Sequence, residues 1–347
     1  MTLTGGAAAW GETTRKVGDA DQLVRVDRAQ LTEGMAAGAP VLIVRNPRGV
    51  SFEVLLDRAM DIGWADASGL PLAWASARGR VAAVRHEPDG AGWIRTFGGG
   101  LLTTCGLASS GMPSTVDGTA HGLHGRIGHI AADNVTWRIR GEGEDAHLEI
   151  TGDVVEAAPG SPTLRLLRCI RAWIRHPILE IEDTVSNDGF DDAGHMFRHH
   201  LNLGYPILDD DTTIATDATV FGSRDEPGVP SIDDIAPGVS AAPTDEQVIY
   251  AHSGPQARLT LNSPERDVAL TLEWSGDTFP LLILWRDASP GTNVLGVEPS
   301  TSRDGGRAQA LRDGELVTLR PGERRRYRTR ITVESADRAS EHGKAGA

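Results

Sequence analysis

Residues 164–186 read LRLLRCIRAWIRHPILEIEDTVS, and their pattern decides the fold class. Residues 164–174 make a long strand candidate. The chain turns at His176-Pro177, and residues 178–186 (ILEIEDTVS) alternate apolar with polar. Successive strand side chains point to opposite faces. Two such runs in succession therefore describe two strands of a sheet with one buried face.

Working outward, the same kind of signal recurs. Residues 39–44 (APVLIV) form a short buried run, and 51–56 (SFEVLL) follow a Pro-Arg-Gly turn. Residues 146–151 (AHLEIT) alternate, and 259–262, 268–274 and 281–285 continue the series. Near the end, 315–319 run into Arg320-Pro321-Gly322-Glu323, and 324–333 run back as an expected hairpin. The Pro-Gly pair suits a type II turn, with φ fixed at one position and free to be positive at the next. Arg324, Arg326, Arg328 and Arg330 fall on alternate positions, as on a solvated sheet face balanced by acidic neighbours. Convincing amphipathic helices are scarce. Many strands with turn signals predict an all-β sandwich or barrel. Residues 1–38 are expected as an N-terminal arm, 39–334 as one β-sandwich domain and 335–347 as a fraying tail.

Composition agrees. The 347 residues include 41 glycines and 19 prolines, with 39% hydrophobic residues. The formal net charge is −14, which argues against nucleic acid or an anionic membrane as partner. The cations are nearly all arginine, since Lys16 and Lys344 are the only lysines. Two cysteines, Cys105 and Cys169, make no disulfide framework. The start, MTLTGGAAAWGETTRK, lacks the basic and apolar regions of an export signal, so a reducing cytoplasm is expected.

Three stretches carry chemistry. In HGLHGR, His121 and His124 lie three apart between glycines, followed by Arg126. Glycine permits close backbone approach to a ligand. In RHHLNLGYP, His199 and His200 point to opposite faces of a strand, and His200 shares its face with Asn202. In GVEPST, Glu298 precedes a proline and is therefore extended. Two imidazoles and a carboxylate form a general acid–base set. The Gly98-Gly99-Gly100 run lacks the Gly-Lys-Ser/Thr ending of a phosphate loop and is expected to serve tight packing. No G-x-S-x-G, Cys-x-x-Cys or H-E-x-x-H pattern occurs.

At these residues the chain resembles the aldose 1-epimerase family of the galactose mutarotase-like superfamily, in a divergent bacterial branch. The resemblance rests on Leu123-His124-Gly125, His200-Leu201-Asn202, Val297-Glu298-Pro299 and the Leu-Arg-Pro-Gly-Glu run at 319–323, in that order. It covers roughly residues 40–333. It implies a large twisted β-supersandwich that binds a small-molecule sugar in a groove, with no metal or other cofactor. It also implies Glu298 as the base at the anomeric hydroxyl, His200 as the acid at the ring oxygen, and His124 as a hydrogen-bonding partner there. Arg126, Asn202, Arg95, Arg58, Asp61, Trp93 and Trp285 are candidate substrate contacts. Arg58 and Asp61 are equally readable as a structural ion pair. The family's arginine-bearing motif ahead of Leu-His-Gly is absent in standard form. Its substrate-binding aspartate has four candidates, Asp209, Asp217, Asp233 and Asp287. A homodimer is left open.

Two rival functions remain at this point. His121, His124, His200 and Glu298 could instead hold a divalent ion in a metal-dependent sugar isomerase. A non-catalytic carbohydrate-binding protein would keep Trp93 and Trp285 for stacking on sugars.

Overall fold

A computed structural model describes residues 15–225, 228–235 and 237–335. The opening stretch forms the antiparallel strands Leu164–Trp173 and Ile178–Asn187, with Cys169 opposite Glu182. They belong to an 8-stranded sheet. Its order runs Thr213–Thr216, Arg258–Ser263, Val268–Trp274, Arg324–Glu334, Ile178–Asn187, Leu164–Trp173, His147–Glu156 and Asp133–Arg140. The second sheet has 12 strands. Its middle runs Asp61–Ala67, Leu102–Leu107, Ala193–Leu203, Val294–Ser300, Leu281–Asp287 and Gln247–His252, each antiparallel to the next.

The core joins the two sheets. Leu166, Ile170, Leu179 and Ile181 of one sheet share a single buried cluster with Phe197, Leu201, Val297 and Leu282 of the other. The fold is thus an all-β sandwich, as the alternation predicts. Among the described residues one α-helix occurs, Gly306–Asp313, and no helix is long and apolar enough to cross a membrane. Of the alternate arginines of Arg324–Glu334, Arg324 and Arg326 lie opposite Ser186 and Thr184, and the other two lie opposite acidic residues. Arg330 is opposite Glu180 and Arg328 opposite Glu182.

Two expectations need correction. The segment ahead of residue 39 is more than an irregular arm. Arg25–Gln30 pairs with Pro40–Arg45 at the edge of the larger sheet, and Val24 joins the core. Its polar RVDRAQ sequence hides a strand that buries little. The 315–333 hairpin is also no hairpin. The turn forms, with Gly322 at φ +76° and the Glu323 N–H bonded to the Arg320 carbonyl at 2.9 Å. Yet Val317–Leu319 pairs with Ala193–Leu203, while Arg324–Glu334 lies between Ile178–Asn187 and Val268–Trp274. A turn fixes four residues, whereas strand partners are decided by which faces are buried. Asn187 secures the crossing, donating to the Leu319 carbonyl and accepting from the Gly322 N–H, both at 2.8 Å. The tail expected to fray lies outside the described residues beyond Ser335.

A buried polar network spans the sheets. Arg168 donates to both oxygens of Asp183, at 2.9 and 2.7 Å, and reaches Asp61 Oδ1 at 3.3 Å. His199 Nε2 lies 2.7 Å from Asp183 Oδ2, and its Nδ1 lies 2.8 Å from Thr329 Oγ1. Against the cost of burial, Arg168 and His199 hold Asp183 down at about 2. Replacing Asp183 by Asn leaves a buried guanidinium short of its counter-charge. Urea unfolding of Asp183→Asn should show a loss of about 3–5 kcal/mol at pH 7. Because the folded-state value lies below the unfolded one of about 3.9, this contribution is intact above pH 4 and fades as the pH falls toward 2. The variant should therefore lose less stability than the parent across that acid range, and parallel acid limbs would contradict the network's role.

Candidate active site

The central strand Ala193–Leu203 is buried on both faces. Phe197 and Leu201 point into the core between the sheets, and His199 joins them there through Asp183. Arg198 and His200 therefore project from the opposite face. Register then does the assembly. Arg198 lies opposite Ser300 and Leu201 opposite Val297, which brings His200 opposite Glu298. Thr103 is paired with His200, Ile283 with Glu298, and Tyr250 with Ile283. One row across five strands thus carries Thr103, His200, Glu298, Ile283 and Tyr250. Directly paired cross-strand side chains are close neighbours.

Arg198, His200, Ile283 and Glu298 line a cavity of about 750 Å³. His200 Nε2 lies 3.2 Å from Glu298 Oε1, while Arg198 Nη1 donates to Glu298 Oε2 at 2.9 Å. Arg198 Nε donates to the Ser300 hydroxyl at 3.3 Å. Gly296 is required beside them, since a Cβ there would meet Glu298 Oε1 at 2.7 Å. His124 comes from the segment 122–126 that follows the short strand Thr119–His121, and it lies in the left-handed region at φ +57°. Its ring meets His200 edge-on at 5.7 Å and Trp93 at 4.6 Å. Phe97 and Trp285 flank His200, each with its ring centre 5.6 Å away. The three chain-distant residues thus converge on one cavity.

Electrostatics couple the pair. Burial raises Glu298 to about 7, opposed by Arg198 and reinforced by Asp304. Burial, with Arg198 in support, lowers His200 to about 3 and holds His124 well below its ordinary value. Two groups in such contact titrate as one unit. Between about pH 3 and pH 7 the pair carries one proton, and 3.2 Å is within reach for its transfer.

The remaining sequence candidates divide. Trp93 and Trp285 line the cavity. Asn202 is fully buried and holds the Gly100 and His200 carbonyls, at 2.9 and 3.1 Å. Arg126 is exposed and outside the lining, and exposed Arg95 pairs with Glu87 at 2.6 Å. Arg58 and Asp61 line a neighbouring cavity of about 310 Å³ instead. Arg58 donates to the Val81 and Thr96 carbonyls, while Asp61 accepts from the Thr104 amide and hydroxyl. Both are occupied in holding the framework, though not with each other. Of the four aspartates, only Asp287 lines the larger cavity. Asp209 pairs with Arg266, and Asp217 accepts from the Gln256 and Arg258 amides. Asp233 belongs to the short turn Ile232–Asp234. His121 lies on the small Thr119–His121 strand outside the lining. Among the described residues no three His, Cys, Asp or Glu side chains gather as a metal-ligand set.

Arg198 went unnoticed in the sequence, although the alternation that linked Asn202 to His200 applies equally two residues upstream. Trp74, Arg224, Glu246 and Asp304 also line the cavity and carry no local signal. Arg224 meets Glu246 at 2.5 Å and Asp304 at 3.4 Å, and Tyr250 bonds Asp304.

A family model described as a domain of unknown function, DUF4432, matches residues 36–333. The chain belongs to that family. No curated protein matches it. Solved structures give the DUF4432 chain its fold. A Klebsiella pneumoniae protein provisionally assigned as an aldose 1-epimerase superposes with a TM-score of 0.81 at 18% identity, covering 94% of this chain and 91% of that one. A galactose mutarotase-like protein from Clostridium acetobutylicum gives 0.62 at 12%, covering 90% and 99%. Galactose 1-epimerase from Lactobacillus acidophilus gives 0.57 at 13%, again covering 90% and 99%. The fold is the galactose mutarotase-like β-sandwich.

The pair makes a spectroscopic prediction. In difference infrared spectra, a protonated carboxyl band should persist at pH 6, disappear as the pH rises through about 7, and be missing in Glu298→Gln. A band lost near pH 4 would show an ordinary carboxylate.

Proposed function

We propose that this protein is an isomerase that interconverts the anomers of a reducing sugar. The observation that carries the proposal is the 3.2 Å contact between Glu298 and His200 on the floor of an aromatic-walled cavity. The anomeric hydroxyl and the ring oxygen are both bonded to the anomeric carbon. An acid and a base serving them must therefore be neighbours. Side-by-side placement suits that chemistry.

In the one-proton pair, the working form is a Glu298 carboxylate beside a protonated His200. Glu298 takes the proton from the anomeric hydroxyl. Its oxygen becomes the aldehyde oxygen as the bond from the anomeric carbon to the ring oxygen breaks, and His200 protonates the ring oxygen. Rotation about C1–C2 and reclosure on the other face give the second anomer. Ring opening moves the pair's proton from His200 to Glu298; in reclosure the roles swap, Glu298 protonating the aldehyde oxygen as His200 takes the proton of the ring hydroxyl, which restores the start. Arg198 fixes the carboxylate, and His124 is placed to hydrogen-bond the ring oxygen or a neighbouring hydroxyl. A protein that only bound sugar would have no need to bury a carboxylate against an arginine and a histidine, since burying charge is costly.

Polarimetry or NMR exchange across a panel of aldoses should show at least one anomer interconversion faster than the spontaneous rate. Glu298→Gln should lower kcat by about 10²–10⁴-fold while sugar binding persists. Because the working pair holds one proton, the rate should be level below pH 7 and fall above it. A rate that climbs through pH 7, or no accelerated sugar, would sink the proposal.

A further inference from the structure

The triple glycine, Asn202 and Trp74 have no part in the proton chemistry, yet together they build a surface. Trp74 lies against two glycines. A Cβ on Gly99 would come within 2.8 Å of its ring, and one on Gly204 within 2.9 Å. Gly99 also adopts φ +78°, which disfavours any side chain. The backbone around Trp74 is stitched in place. Its N–H bonds the Asn202 carbonyl at 3.0 Å, its carbonyl accepts from Gly100 at 2.8 Å, and the Asn202 side chain holds the Gly100 carbonyl. The indole N–H is used up on the Thr292 carbonyl at 2.6 Å. Trp285 is tied similarly, its indole N–H donating to Glu246 Oε2 at 2.8 Å. Rings anchored in this way offer their faces, and faces are what sugars stack on.

The two rings are stepped away from the chemistry. Trp285 lies 5.6 Å from the His200 ring, and Trp74 stands 6.2 Å beyond Trp285 at 85°. Arg78, Asp287 and Ser76 line the same cavity. Arg78 is exposed and has no hydrogen-bond or ion-pair partner among the described residues, so its guanidinium is free for hydroxyl groups. A single pyranose over Glu298 and His200 leaves much of the 750 Å³ unfilled, since pockets of about 300–1,000 Å³ hold drug-sized ligands.

Resting on the anomer-exchange proposal, we infer that Trp74 is the platform of a second sugar subsite, and that the substrate is a reducing disaccharide. Its reducing ring sits over Glu298 and His200. Its second ring stacks near Trp74, within reach of Arg78 and Asp287.

The test compares matched sugars on the full chain: glucose with maltose, cellobiose and lactose, xylose with xylobiose, and mannose with mannobiose. At least one disaccharide should be interconverted with a kcat/KM about tenfold or more above its own reducing monosaccharide. Trp74→Ala should bring that ratio close to one. Should this variant fail to fold, titration of wild-type protein with methyl glycosides serves instead, and a methyl disaccharide should bind more tightly than the matching methyl monosaccharide. Monosaccharides that match or exceed every disaccharide in rate and affinity would overturn the subsite and leave anomer exchange standing. Acceleration of no reducing sugar would overturn both.

Discussion

Everything in the site depends on side-chain alternation along one doubly buried strand, Ala193–Leu203. His199 and His200 are chemically identical and adjacent, yet they live on opposite sides of a sheet. His199 is drawn into the polar network of Asp183 and Arg168 between the sheets. That contact fixes the strand's rotation, and with it the direction of Arg198 and His200. A one-residue slip would send Arg198 and His200 into the core and turn Phe197, His199 and Leu201 toward the cavity in their place. The interior network and the candidate active site are thus two faces of one constraint.

The second theme is charge. Glu298, His200 and Arg198 are all nearly excluded from water. Burial alone would neutralise both titrating groups. Arg198 pulls Glu298 back toward ionisation and further discourages a proton on His200, while Asp304 pushes Glu298 the other way. The outcome is a pair whose proton is lost near neutrality. A carboxylate in that range can both accept and release a proton under physiological conditions. The aromatic walls preserve this state by keeping water away from the floor.

Much of this was legible in the sequence. The alternating runs became strands, most with ends shifted by no more than two residues, though the run at 146–151 extends to Glu156, because period-2 burial is written locally. His200 could be singled out because it shares a strand face with Asn202, and Glu298 because it directly precedes Pro299. What the sequence lacked was register. Arg95 and Arg126 were chosen for their proximity to motifs, and both turn out to face solvent. Asp61 and Arg58 are buried, but on partners whose identity only the packed sheets reveal. Asn202 was assigned to the correct strand, yet its amide serves the backbone of Gly100 rather than a ligand. The supposed terminal hairpin shows the same limit, since local turn chemistry was right while the strand partners were decided at long range.

The most direct measurement is a crystal structure of the protein with a reducing sugar bound. The account predicts the anomeric carbon above the Glu298–His200 contact, with the anomeric oxygen in hydrogen-bond range of Glu298 and the ring oxygen in range of His200 or His124. A sugar seated in the smaller cavity beside Arg58 and Asp61, or with its anomeric carbon turned away from Glu298, would contradict it.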